Sequence, residues 1–443
     1  MSKIVIIGNG VSGITAARHI RKNSDDEILV ISKETKYFYS RTALMYVYMG
    51  HMRFQDIQPY EPWFWEKNRI DLLEDQVEKI DTASRSLIMK SGSDVKYDKL
   101  ILALGSKPNK FGWPGQDLKG VQGLYSKQDL DELEENSPSA KRMVIVGGGL
   151  IGVELAEMAL SRGIEVTFLV RESKFWGNVL PDEEGKLISN HIKEHHVDLR
   201  FNTELKEIID DGTGRVKGVI TSTGEEIECQ IVGLTAGVSP NVDFVKDSEI
   251  EVQRGVMVNE YLETNIPDIY AIGDCAQFNE PVNGRRPIEQ VWYTGRIMGE
   301  TLAQTICGNR KAYDPGPWFN SAKFFDIEYQ TYGIVSAQRA DDEDHYYWEH
   351  SDGKICLHIV WEKESLKFRG INVFGIRMRH HLFDQWLKEE ASIKTVMENL
   401  KTANFDPEFF SSYEAKIVDG FNLKTGMNVE LKKKNWWRNL LNA

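Results

Sequence analysis

The 443-residue sequence contains only four cysteines, Cys229, Cys275, Cys307 and Cys356, and none stands at a CxxC, CxxxxC or histidine-linked spacing. That scatter excludes a disulfide framework and a sequence-local zinc or iron–sulfur cradle, so any redox centre has to be a bound cofactor. Long apolar runs are also missing: no window approaches the roughly 18 uninterrupted residues of a membrane span. Met1-Ser2-Lys3 leads straight into Ile4-Val5-Ile6-Ile7-Gly8, without a charged leader and apolar signal core. The expectation is a soluble, cytoplasmic protein with no integral membrane insertion. Excess positive charge is lacking too, and the formal net charge of −13 disfavours nonspecific nucleic acid or anionic lipid as a partner.

What is present is an approximate internal repeat. Lys3-Ile-Val-Ile-Ile-Gly-Asn-Gly-Val-Ser-Gly13 recurs as Arg142-Met-Val-Ile-Val-Gly-Gly-Gly-Leu-Ile-Gly152. Each copy reads as a short β-branched strand (4–7, 143–146), a glycine turn and a helix (14–22, 153–162). Each then returns to a second strand, at 28–31 and 166–170, giving two βαβ units. In Gly8-x-Gly10-x-x-Gly13 the first glycine permits the tight turn, the second lets the backbone approach a pyrophosphate, and the third lets helix pack on strand. The helix N-terminus adds free N–H groups and a positive dipole. Glu34, just beyond the next strand, is the acidic residue placed to bind ribose hydroxyls.

Tyr97 to Gly105 reads as a strand entering a turn, and Lys107 to Gly115 as a linker. Ile231 to Gly237 and Ile269 to Asp274 repeat the strand-then-turn ending, and a helix is expected from about Pro287 to Ile306. Tyr313-Asp-Pro-Gly-Pro317 breaks the pattern, and the aromatic-rich remainder, alternating over Ile355 to Trp361, reads as a further α+β domain.

Thr264-Asn-Ile-Pro-Asp-Ile-Tyr-Ala-Ile-Gly-Asp274 resembles the second FAD motif of the pyridine nucleotide-disulfide oxidoreductase superfamily. The resemblance covers about residues 3–325, including Ala103-Leu-Gly105, where leucine replaces the usual threonine, and Gly237-Val-Ser-Pro-Asn241. It implies an α/β fold with two Rossmann-like dinucleotide-binding domains and a C-terminal α+β domain. The FAD domain would be discontinuous, 1–114 and 246–316, with the NAD(P) domain at 115–245 and the C-terminal domain at 317–443. FAD is implied at Gly8, Gly10, Val11, Ser12 and Gly13, with Glu34 on the adenosine ribose, Val77 near the adenine, and Ala103, Gly105, Gly237 and Gly273 shaping turns. Asp274 would bind the ribityl chain, and a helix opening near Gln290, Val291 and Trp292 would aim its N-terminus at the flavin.

Tyr39-Ser-Arg-Thr-Ala-Leu-Met-Tyr46 resembles a segment of the rubredoxin and putidaredoxin reductases and of nitrite reductase flavin modules. Disulfide reductases place a reactive cysteine hereabouts, and this chain has none between residues 1 and 228. Electrons would therefore leave the flavin without a thiol relay. The resemblance implies Arg41 at an FAD phosphate, Tyr46 in place of a family lysine, and Glu154 as the glutamate that often pairs with it. It also implies Trp318, in Pro317-Trp-Phe-Asn-Ser321, against the isoalloxazine. The second loop, Gly147, Gly149, Leu150, Ile151 and Gly152, would hold NAD(P)H. Its strand ends with Arg171-Glu172, one residue suited to a 2′-phosphate and one to a 2′-hydroxyl. NADH is favoured, with NADPH left open.

The expected reaction runs from NAD(P)H through FAD to a small iron–sulfur carrier of ferredoxin or rubredoxin type. An NAD(P)H oxidase or peroxidase and a flavin-binding sensor or assembly factor are the alternatives, and a homodimer stays open. Arg377-x-Arg379-His380-His381 is a basic cluster suited to an acidic carrier, and the tail Lys432 to Leu441 mixes cations with aromatics suited to a partner or a membrane surface.

Overall fold

Short runs of β-branched residues become strands buried on both faces. In a computed structural model, which describes residues 1–405 and 411–432, five strands form one all-parallel sheet, with Ile70–Glu74 at one edge exposing Asp71 and Glu74. Its order is Ile269–Ala271, Lys99–Leu102, Lys3–Ile7, Glu27–Ser32, Ile70–Glu74. Ile4, Val5 and Ile6 have no exposed surface at all. The chain leaves Lys3–Ile7 for a neighbour on one side and later returns to pair on the other, which makes the end of that strand a topological switch point, where open α/β sheets bind ligands.

The chain divides into two compact units, Met1–Gly147 with Leu155–Val166 and Leu205–Pro315, and Gly148–Glu154 with Thr167–Glu204 and Gly316–Ala443. In the first unit, the helix Val11–Asn23 lies against the helix Trp292–Ile306. Small residues permit the approach: a Cβ on Gly299 would stand 2.6 Å from the Ser12 carbonyl oxygen, and one on Gly295 would stand 2.5 Å from the Ser12 hydroxyl. The later helix opens at Trp292 rather than near Pro287, whose carbonyl is taken by the Phe278 N–H at 2.9 Å. A second parallel set, Arg142–Val146, Ile231–Leu234 and Val121–Gln122, belongs to the same unit. Ser106–Pro108 pairs antiparallel with Val238–Pro240. The latter pairing ties the start of the expected 107–115 linker to residues more than a hundred positions away, and the first unit runs on through it to Gly147.

The second unit contains the helix Asp182–Glu194 and the parallel pairing of Thr167–Leu169 with Asp198–Arg200. Its last segment opens at Gly316, beside the expected boundary at 317. There a five-stranded antiparallel sheet runs in the order Phe319–Phe324, Ile327–Gly333, Phe368–Phe374, Cys356–Glu362, Glu343–Glu349. The helices His380–Lys388 and Glu414–Thr425 bury Phe383, Trp386, Ile417 and Phe421 in a core with Leu357, Ile359 and Trp361. Among the described residues, no helix is long and apolar enough to cross a membrane.

Candidate functional site

The first glycine loop sits at the switch point and is shaped for close approach. Gly8 has φ +112°, and a Cβ there would stand 2.8 Å from the Ala103 carbonyl carbon and closer still to its oxygen. A Cβ on Gly13 would overlap the Gly8 carbonyl oxygen. Gly10 differs: its φ is −72°, and nothing lies within 4 Å of where a Cβ would go. It caps the helix Val11–Asn23, which has no side-chain cap and no acidic residue in its first turn. The first-turn amides therefore have neither an intrahelical acceptor nor a capping side chain, beside open space. That arrangement fits the pyrophosphate of a dinucleotide.

Opposite the loop, Gly273 (φ +73°) turns the chain so that Asp274 meets Ser106. The Ser106 hydroxyl donates to the Asp274 carboxylate at 2.9 Å and accepts from the Gln290 amide at 2.6 Å. The Ser106 N–H donates to the Tyr125 hydroxyl at 2.8 Å. Asp274 stays partly open at the surface, yet the protein packed around its carboxyl pushes its pKa up, against the Ser106 hydrogen bond and the charge of Arg41. Gln290 and Val291 precede the helix Trp292–Ile306, whose N-terminus also lacks a side-chain cap. Trp292 and Val11 line a cavity of about 510 Å³, with Phe38, Ala43, Met52 and Tyr60 among its other walls. Ser106 and Tyr125 have no motif of their own, and only their place after the Ala103-Leu-Gly105 turn and in the following segment hints at them.

Glu34 and Arg41, expected to contact the nucleotide separately, are one ion pair. Arg41 Nη2 lies 2.7 Å from Glu34 Oε2 and Nη1 lies 3.1 Å from Oε1. The Glu34 carboxylate also accepts from the Lys127 N–H at 2.9 Å and from the Tyr39 hydroxyl. Burial alone would raise the Glu34 pKa, but the Arg41 hydrogen bonds and charge outweigh it and hold the group below its ordinary value. Arg41 further donates to the Tyr125 carbonyl and lies 4.4 Å from the centre of its ring. Gly105 (φ +67°) passes close to this tyrosine, since a Cβ there would be 2.8 Å from its hydroxyl. Val77, which begins the strand Val77–Asp81, is buried in the first unit's core.

The second loop repeats the logic of the first. Gly147 has φ +115°, and a Cβ there would stand 2.7 Å from the Thr235 carbonyl, while nothing lies within 4 Å of one on Gly149. Leu150, Ile151, Gly152 and Glu154 belong to the helix Leu150–Ser161. Gly237 makes its turn at φ +85° beside Asn109. Arg171 and Glu172 pair with each other at 3.0 Å. The arginine is 69% exposed and the glutamate 28%.

The sequence pattern of the Pyridine nucleotide-disulphide oxidoreductase family matches residues 2–299, two-thirds of the chain. The chain belongs to that family. As one of these oxidoreductases it uses FAD and a reduced nicotinamide, which fits two cradles of the same design. It is 33% identical over 311 residues to the Nitrite reductase [NAD(P)H] of Bacillus subtilis, covering 69% of this chain but only 37% of that protein. It is 32% identical over 337 residues to the 5,5′-dehydrodivanillate O-demethylase ferredoxin reductase subunit of a Sphingobium species, covering 75% of this chain and 82% of that one. Among solved structures, an NAD-dependent persulfide reductase from A. fulgidus superposes with a TM-score of 0.83 over 98% of this chain and 86% of its own. At 22% identity that likeness speaks for the fold alone.

The oxidoreductase's remaining expected residues are placed as follows. Tyr46 lies in the short helix Leu44–Tyr48, its ring stacked 6.2 Å from His51. The Trp318 carbonyl accepts from the Gly333 N–H at 2.7 Å. Within the expected basic cluster, Arg377 pairs with Glu328, Arg379 donates to the carbonyls of Asn404 and Phe405, and His380 packs on Phe319 at 4.3 Å. The Glu328 carboxylate offsets the Arg377 charge, whereas the neutral carbonyls leave that of Arg379 in place, and Arg377, His380 and His381 stay exposed. The tail expected to meet a partner or membrane lies, beyond Lys432, outside the described residues. All four thiols are held up by burial, Cys229 and Cys275 to about 12. Cys275, next to Asp274, turns its sulfur toward the carbonyls of Leu102 and Ile272.

Proposed function

We propose that this oxidoreductase takes reducing equivalents from NADH and delivers them one at a time to a small iron–sulfur protein of ferredoxin or rubredoxin type. The observation that carries this reading is the missing thiol. Ala43, not a cysteine, lines the cavity beside Val11 and Trp292, and Cys275, which follows Asp274 in the chain, is fully buried with its thiol pushed up to about 12. Bound FAD would supply the conversion from two-electron to one-electron transfer.

In this reading residues 1–114 and 246–316 form the FAD domain, 115–245 the NAD(P) domain and 317–443 the C-terminal domain. Gly8, Gly10, Val11, Ser12 and Gly13 hold the pyrophosphate against the helix N-terminus. Asp274, ordered by Ser106 and Gln290, receives the ribityl hydroxyls. The Glu34–Arg41 pair borders the adenosine side, with Arg41 fixed by Tyr125. Gly147, Gly149 and the helix amides of Leu150, Ile151 and Gly152 hold the nicotinamide dinucleotide, and Glu172 selects NADH by repelling a 2′-phosphate. Glu154, Tyr46 and Trp318 are assigned to the flavin surroundings.

One observation favours a second reading as an NADH oxidase, because the 510 Å³ cavity beside Trp292 would admit a small acceptor. Steady-state turnover with NADH separates the two readings. Reduction of added ferredoxin or rubredoxin far outpacing oxygen uptake supports the carrier reading, and oxygen uptake that no carrier suppresses defeats it.

A further inference from the structure

Within the second unit, three metal-ligating side chains that the redox reaction does not use converge on one point. His191 and His195 stand four residues apart, so the helix Asp182–Glu194 and its C-cap residue His195 present both imidazoles on one face. Opposite them is Asp326, in the two-residue turn between the strands Phe319–Phe324 and Ile327–Gly333. His191 Nε2 lies 2.6 Å and His195 Nε2 3.2 Å from the same carboxylate oxygen, Asp326 Oδ1, and the candidate ligand atoms all fall within 4.8 Å of one another. The turn is braced against the helix, because the His195 ring stacks on Phe325 with centroids 4.2 Å apart and planes 6° from parallel.

The His191 ring is the decisive observation. Its side chain is 1% exposed, yet neither ring nitrogen has a hydrogen bond of sound geometry, despite the short separation from Asp326. A buried polar group without such a bond calls for a partner. We propose that His191 Nε2, His195 Nε2 and Asp326 Oδ1 form a zinc site, with water completing the tetrahedron on the side where Asp326 and His195 reach the surface. Two imidazoles and one carboxylate suit Zn²⁺ and disfavour Mg²⁺ and Ca²⁺, which take oxygen ligands. Ligand bonds of about 2.0–2.2 Å place neighbouring ligand atoms about 3.3 Å apart in a tetrahedron. The His195 separation already matches, and the 60% exposed Asp326 side chain is free enough to open the His191 separation.

The surroundings supply what a bound metal needs. Glu194, 59% exposed, lies 3.7 Å from His191 Nδ1, and a small swing of its side chain would let it accept that nitrogen's proton and leave Nε2 to the metal. Lys354 Nζ stands 3.9 Å from the other carboxylate oxygen, Oδ2, and is half-exposed. Zinc here would clasp the C-terminal end of the helix to the hairpin turn, a structural role separate from electron transfer.

The test uses tag-free, FAD-loaded full-length protein, stripped with chelator and titrated with ZnCl₂ by calorimetry, with bound metal counted by mass spectrometry. The expected result is one zinc per chain, undisplaced by millimolar Mg²⁺ or Ca²⁺, and a higher unfolding temperature on binding. His195→Ala and Asp326→Ala, both at surface-reaching positions, should each weaken binding at least tenfold and lose the thermal shift. His345→Ala, at the separate His345–His358 contact, should bind as the parent does. Less than a tenth of an equivalent bound, equal binding by the parent and the two site variants, or a loss that follows His345 instead would each overturn the proposal.

Discussion

Two glycines of one loop can be told apart by what their side chains would meet. Gly8→Ala puts a Cβ against the Ala103 carbonyl at φ +112°, between the neighbouring strands Lys3–Ile7 and Lys99–Leu102. The positive φ costs about 1–2 kcal/mol, and the overlap forces a backbone shift worth about 1–3 kcal/mol more. Unfolding free energy should therefore drop by about 2–5 kcal/mol, with FAD lost alongside. Gly10→Ala meets nothing within 4 Å at φ −72°, so its cost to the fold is only the weaker helix cap, about 1 kcal/mol or less. Its methyl group would occupy the open space assigned to the pyrophosphate, and FAD affinity should fall at least tenfold, about 1.4 kcal/mol. Urea unfolding of the apoprotein and titration with FAD by flavin fluorescence measure the two effects separately. A Gly10→Ala protein that is as stable as the parent and still binds FAD within twofold of it would refute the assignment of this loop.

Ser106→Ala removes the hydroxyl between Gln290 and Asp274 and should weaken FAD binding by about 1–3 kcal/mol, with Ser106→Thr recovering most of it. Glu172→Gln removes the acid paired with Arg171 and should shift the ratio of kcat/KM for NADPH over NADH upward by roughly tenfold; an unchanged ratio would place the selection elsewhere. His345 is held down to about 4, by burial first and then by Lys424, His358 and Arg339. Below an unfolded value near 6.5 the unfolded chain binds the proton first, so stability should be complete above about pH 6.5 and fall as the pH drops toward 4. A fully buried ring would contribute about 3 kcal/mol, and partial exposure reduces this to about 1–2 kcal/mol. Urea midpoints measured from pH 7 to 4 should show that loss, and His345→Gln should flatten it.

The legible parts of the site were those written in consecutive residues. Each glycine loop carries its turn, its open position and its helix start within a few positions, and both match the structure. The helix expected at 14–22 runs Val11–Asn23, because a Gly10 cap without a side chain lets it begin at the turn. Contacts that close over long separations were not legible. Ser106 reaches Asp274 across 168 residues, and Arg377 pairs with a glutamate 49 residues earlier. Glu34 and Arg41 are only seven apart, yet their pairing depends on the Lys127 amide and the Tyr125 carbonyl arriving from another segment. The segment expected as a linker at 107–115 is likewise tied by strand pairing to 238–240 at its start, with a pairing to 231–234 just beyond it.

The claim that electrons leave without a thiol is tested most directly by stopped-flow mixing after treatment of the native enzyme with iodoacetamide. With Cys229, Cys275 and Cys356 buried and the half-buried Cys307 turned toward the Ile20 carbonyl, NADH should still bleach the FAD absorbance and oxidised ferredoxin or rubredoxin should restore it at rates within twofold of the untreated enzyme. Treated enzyme that accepts electrons from NADH but no longer passes them on would contradict the account.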